Sequence, residues 1–163
     1  MIKGKGQRLI PEELLKYFQN QKDKGMNIVE LVDSAGNPRF VEGDGEGLTQ
    51  EGVTISYCKW SLSGTHLMLV CAGTVASGTT ISTGTGIGVF GIPKWIYDKI
   101  YSLFSNVVEI KNFNYWGSDY TSQSSITQLQ KVSNTLKLSP TGNLTTTANR
   151  NFRIQFDLLI DSE

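Results

Sequence analysis

The sequence predicts a mainly β fold, an antiparallel β-sandwich or jelly roll carrying one or two short helices. Three observations carry that expectation. Short runs of β-branched and aromatic residues alternate with polar ones at period 2, and Gly, Asn and Ser recur between the runs as turn-formers. No strand–helix–strand alternation is present that would build a parallel sheet. Charged residues are 18% of the 163, below the ~25% of an ordinary domain. Gly, Ser, Thr and Asn take their place, which suits strands joined by tight turns. The length suits one domain with a core of its own. The chain divides into an N-terminal arm and short helix, residues 1–25, and a single β-sandwich domain, residues 26–163.

The elements follow in order. Residues 1–10 are basic and Gly-containing, a lead-in. Pro11 opens a helix: Glu12 and Glu13 fill its first turn, Lys22 and Lys24 its last, and Gly25 stops it. Leu14, Leu15 and Phe18 form its apolar stripe. A helix this short is marginal alone, so the stripe needs a partner in its own domain or a neighbouring subunit. Residues 27–43 read as a hairpin around Ala35-Gly36-Asn37, and "GDGEGLTQEG", 43–52, as a polar loop. Two strands then flank Ser63-Gly64. The second holds "LMLVCAG", apolar throughout, and is expected to be central and buried on both faces. The Gly/Thr-rich stretch 77–92 reads as strand and turn with close backbone approach.

Pro93 opens the second helix, "PKWIYDKIYSLF". Trp95, Ile96, Ile100, Leu103 and Phe104 are its expected buried face, with Lys94, Asp98 and Lys99 outside. "NVVEIKNFNYW" returns to strand, and a hairpin turns at Ser133-Asn134. In the last strand Phe152, Ile154, Phe156 and Leu158 alternate with Arg153, Gln155 and Asp157. Its terminal place does not make it an edge.

Composition and motifs narrow the function. Net charge is +0, so the chain offers no basic field for a phosphate backbone and no nucleic-acid partner is expected. The apolar runs fall far short of the ~20 residues that cross a bilayer, so no membrane insertion is expected. "MIKGKGQRLIPEELLKYF" lacks the apolar core of a signal peptide and reads as made in a cytoplasm. Cys58 and Cys71 fall in neighbouring strands and read as buried free thiols, with pairing left open. His66 is the single histidine and reads as structural. Glu42, Asp44 and Glu46 alternate with glycines and share one side of an extended segment. That spacing can hold Ca²⁺, but no EF-hand pattern is present, and a solvated loop with no metal is expected. "GTGIGVFG", 84–91, does not run directly into a helix, so no dinucleotide cofactor follows from it. There is no Gly-x-Ser-x-Gly elbow, and nothing sets the carboxyl separation of Asp98, Asp119 and Asp157. No catalytic residue and no cofactor are assigned.

The stretch "NFNYWGSDYT", 112–121, sets large rings among turn-formers. Alternation from Val107 puts Phe113 and Tyr115 on one face and Asn112, Asn114 and Trp116 on the other. Gly117 breaks the strand. Phe113 is expected inside, with Trp116 and Tyr120 at or past a strand end. Trp116, Tyr120, Asn114, Ser118 and Asp119 are the candidate ligand-binding residues, because rings stack on sugar C–H faces while amides and carboxylates bond hydroxyls. The competing reading is that these rings anchor a sheet edge.

The phrases "YCKWSLSGTHLMLVCAGTVASGTTI", "GIPKWIYDKI" and "FRIQFDLLID" resemble segments of small phage-encoded tail or baseplate-associated proteins. The likeness runs over residues 53–161. It implies a trimeric β-sandwich head on a virion appendage, with other tail proteins and a cell-surface glycan as partners, and an N-terminal helix suited to a trimer stem. It transfers no site residue. The expectation is a non-enzymatic virion adhesion module. A glycan-active enzyme and a capsid or decoration protein are the alternatives.

Overall fold

The computed structural model describes Lys16, residues 36–117 and residues 121–160. The expected helix 11–24, apart from Lys16, and the first strand of the 27–43 hairpin lie outside the described residues. Eight strands close into one antiparallel barrel. They are β1 (Phe40–Gly47), β2 (Val53–Ser63), β3 (His66–Val75), β5 (Gly88–Gly91), β6 (Val107–Trp116), β7 (Ser122–Val132), β8 (Thr135–Pro140) and β10 (Arg150–Leu159). Around the barrel the order is β1-β2-β3-β10-β6-β7-β8-β5. Two short strands, β4 (Thr80–Ile81) and β9 (Leu144–Thr145), pair as a ribbon of their own. The mainly β, antiparallel class stands. The pairing describes one closed barrel where the sequence suggested two stacked sheets.

Closure depends on two unusual joints. β1 changes partner along its length: Phe40–Asp44 pair with β2, whereas Gly45–Gly47 pair with β5. β6 and β10 meet at the single register pair Trp116–Asn151. Beyond that pair, side chains bridge the two strands. Phe113 packs edge-on against Phe156 at 5.8 Å, and Tyr115 lies 5.7 Å from Phe152. Lys111 Nζ donates to the Gln155 carbonyl at 3.3 Å.

Period-2 patterning fills the barrel. Leu62, Leu67, Leu69, Cys71, Phe90, Tyr115, Leu129, Leu136, Ile154 and Phe156 are all buried in one core. β10 alternates as expected and is interior to the sheet, between β3 and β6. β3 is central, but its outer face is covered only in part: Val70 is buried while His66 and Met68 are exposed. The β7–β8 hairpin turns on Ser133 and Asn134, both at positive φ (48° and 64°). That is the mirror-image turn matching the twist of the strands. Cys58 and Cys71 are cross-strand register partners, buried and free. A hydrogen bond between them holds the Cys58 thiol below its ordinary value and pushes Cys71 up.

Two expectations are corrected. Residues 43–47 are not loop but the second half of β1. Glycines 43, 45 and 47 point inward, where a Cβ on Gly43 would lie 2.6 Å from the Trp60 indole and one on Gly45 2.7 Å from Cys58 Sγ. The inward row therefore has no room for side chains, while Glu42, Asp44 and Glu46 face water. The second helix is one turn only, α1 (Lys94–Tyr97). After Asp98 its backbone bonds shorten to i→i−3, from Lys99 to Ile96 and from Ile100 to Tyr97, and the helix stops. Ile96 and Ile100 are buried as expected and Trp95 is half-buried. Leu103 and Phe104 are 55% and 57% exposed, because they ride on a turn closed by Leu103 N–H to Val107 O and Val107 N–H to Phe104 O. Lys94 and Asp98 are exposed and Lys99 is half-buried.

The barrel has two unlike ends. Phe40, Ser63, His66 and Leu159 are successive register partners at one end, so the described chain enters and leaves the barrel there. The turn before β6 and the β7–β8 hairpin tip lie at that same end. The opposite end carries Trp116, the start of β7 and the β4–β9 ribbon.

Candidate functional site

At the end of β6 the pleat separates two adjacent rings. Tyr115 is fully buried against Phe152, and Trp116 is 48% exposed on the outer face. Burial pushes the Tyr115 phenol up to about 12, opposed by Ser125 and reinforced by Cys71. Its hydroxyl has no hydrogen bond of standard geometry. Of the candidate residues, Asn114 is exposed on the same outer row as Trp116, two residues away. Ser118, Asp119 and Tyr120 lie outside the described residues.

Register assembles a larger row around Trp116. Thr54 pairs with Thr74, Thr74 with Asn151, Asn151 with Trp116, and Trp116 with Ser122. All five are exposed. They form a line of outward side chains crossing β2, β3, β10, β6 and β7, with no formal charge on it. Beside the line lies an open groove of about 510 Å³ lined by Gly52, Thr54, Thr74, Asn149, Arg150 and Asn151. Thr54, Thr74, Asn151 and Ser122 escaped the sequence reading. Their outward phase could be read from alternation, but their meeting depends on pairing between distant strands.

The floor of this end is held by polar bonds. Arg150 is buried, and its Nη1 donates to Thr121 O at 3.1 Å and Thr121 Oγ1 at 2.7 Å. Gly117 N–H donates to Thr121 O at 2.9 Å, which ties the residue after β6 to the residue before β7. Gln123 Nε2 donates to Thr145 O, and Ser77 N–H to Asn149 Oδ1 at 2.9 Å. Backbone groups and side chains are thus committed to one another below the row, and the outer side chains stand on a fixed platform.

A second depression, about 390 Å³, lies on the outer face of β1–β3 among Glu42, Asp44, Tyr57, Lys59, Ser61 and Met68. Here Lys59 is spent on Asp44 at 3.2 Å, and that carboxylate raises its pKa. Two of the three carboxylates considered for acid–base work are engaged locally, Asp98 with Lys94 at 2.7 Å and Asp157 with the Gln155 amide at 3.0 Å. Among the described residues no cluster of His, Cys, Asp and Glu has metal-binding geometry.

No family model and no curated protein matches the chain. Among solved structures it is similar to one titled the bovine atadenovirus type 4 fibre head protein. The identity is 9%, over 71% of this chain and 97% of that one, with a TM-score of 0.37. At that TM-score the likeness bears on neither the fold nor the function of this chain.

Proposed function

We propose that the chain is a non-enzymatic adhesion module of a phage tail or baseplate appendage, and that it binds a neutral host cell-surface saccharide at the end bearing Trp116. The observation that carries this reading is the row Thr54–Thr74–Asn151–Trp116–Ser122. A half-exposed indole offers a flat apolar face to sugar C–H groups, and flanking hydroxyls and amides exchange hydrogen bonds with sugar hydroxyls. Absence of charge on the row suits a neutral ligand. The virion setting rests on the resemblance of residues 53–161 to tail-associated proteins. In that setting three copies assemble beside other tail proteins.

Binding of the full-length chain to purified cell-wall polysaccharides, with reducing ends measured in parallel, tests the proposal. Saturable binding without new reducing ends is expected. New reducing ends would make the chain a glycan-active enzyme, and no binding to any neutral polysaccharide would remove the adhesion reading. Sedimentation tests the assembly: a stable monomer at micromolar concentration contradicts the trimer.

A further inference from the structure

Cys58 on β2 and Cys71 on β3 face each other across one register pair inside the barrel. The hairpin joining the two strands turns on two residues, Gly64 and Thr65. Ser63–His66 is therefore its first hydrogen-bonded pair, and hydrogen-bonded and non-hydrogen-bonded pairs alternate from there. Cys58–Cys71 comes five pairs further on with no break in register, so it is a non-hydrogen-bonded pair. At such a pair the Cα atoms approach to about 4.5 Å, which is within the span that a disulfide bridges. Both sulfurs converge on one glycine: a Cβ on Gly88 would lie 3.2 Å from Cys58 Sγ and 3.4 Å from Cys71 Sγ. The two thiols differ in access. Cys71 is fully buried, and its Sγ donates to Ile87 O at 3.9 Å. Cys58 is 9% exposed and lines an open depression of about 440 Å³ together with Gly45, Gly47 and Ile55. Pairing between β1 and β2 ends at Asp44–Lys59, one residue short of Cys58, and that leaves the opening.

We propose that Cys58 and Cys71 form an oxidation site for small-molecule disulfides, in which Cys58 attacks first and Cys71 closes an intramolecular bridge. The Cys58 thiolate attacks one sulfur of the dissolved disulfide, forming a mixed disulfide and expelling one small thiol. Cys71 then attacks Cys58 Sγ, forming the protein disulfide and expelling the second. In each step the proton of the attacking thiol ends on the departing one. Two protein thiols are oxidised and one small disulfide is reduced to two thiols. The electrostatics agree with that order. The bond from Cys71 favours the Cys58 thiolate, the attacking species. Cys71 is pushed up and buried, so it reacts only with the sulfur beside it, where proximity replaces reactivity. In a reducing compartment the thiols stay free, and an oxidising one closes the bridge. The bridge pins together the two strands that carry Thr54 and Thr74. This inference is independent of what the Trp116 end binds.

Incubating the folded full-length chain with oxidised glutathione tests it, with acid quenching, intact mass and non-reducing peptide mapping as the readout. The expected product is a monomer in which the Cys58 and Cys71 peptides are linked and no glutathione is retained. Two glutathiones on one chain, bridges between two chains, or no reaction of the folded chain would each overturn the proposal. Two variants test the order of attack. Cys71→Ser should stop at one glutathione on Cys58. Cys58→Ser should take up glutathione at least ~10-fold more slowly than Cys71→Ser, because its remaining thiol is buried. Equal rates in the two variants would contradict Cys58 as the attacking thiol. The linked peptide from the native chain decides the bridge itself, even where a variant folds poorly.

Discussion

At Tyr115 and Trp116 the strand's pleat sends one ring inward and the next outward, so their substitutions should part company. Trp116→Ala should cost about 1–2 kcal/mol in denaturant unfolding, well below the ~3–5 kcal/mol of a packed ring, because half the indole already meets water. The same variant should weaken saccharide binding at least ~10-fold, as truncated aromatic anchors do. Unfolding of Trp116→Ala would instead support the edge-anchoring reading. Tyr115 carries a pH signature. Its phenol is pushed up to about 12 in the folded chain, by burial above all, against about 10 when unfolded. Between those values the native state keeps a proton that the unfolded state releases, so stability falls as pH rises. The contribution is complete below about pH 10, and its loss amounts to at most ~3 kcal/mol by about pH 12. Unfolding curves across that range should slope more steeply in the native chain than in Tyr115→Phe. Equal slopes would contradict a desolvated phenol.

Among the elements, legibility followed side chains. β8 and β10 carry apolar residues at alternate positions, and their pattern could be read directly. In β2 a register shift between Ile55 and Tyr57 reverses the phase. It turns Tyr57 outward and Cys58, Trp60 and Leu62 inward, against the straight alternation of Val53, Ile55, Tyr57 and Lys59. β1 could not be read directly, because its inward row is glycine. The volume those glycines leave is filled by Trp60, Cys58 and Phe90 from other strands, a non-local fact. Gly43→Ala should therefore destabilise the barrel by ~1–3 kcal/mol through overpacking, while Glu42→Gln on the outer face stays within ~0.5 kcal/mol. Thermal melts of both variants check the pair. α1 failed in the opposite sense. The apolar periodicity runs on to Phe104, but the backbone leaves the helix after Asp98, and closure of the next turn onto Val107 has no local signal. Ile100→Ala should cost ~2–5 kcal/mol; Leu103→Ala, already largely exposed, should cost under ~1 kcal/mol. Similar losses at both would restore a longer buried helix. In the candidate site, the outward phase of Asn114 and Trp116 was legible from alternation. The row they join was not, since the partners of Trp116 are set by the registers of β3, β10 and β7.

The whole molecule is polarised. The described chain enters and leaves the barrel at one end, beside the turn that exposes Leu103 and Phe104, and the neutral row with its indole occupies the other. A strand of ten residues, ~33 Å long, runs between the ends. The proposed adhesion role calls for attachment through the termini end, with the Trp116 end turned to the surface it binds. The most direct measurement is a backbone amide chemical-shift map of the full-length chain titrated with a neutral cell-wall oligosaccharide. The account predicts saturable shifts clustered at Thr54, Thr74, Asn151, Trp116 and Ser122, with none at the termini end. Shifts centred on Tyr57 and Lys59, or no shifts at a saccharide concentration that saturates whole-cell binding, would contradict it.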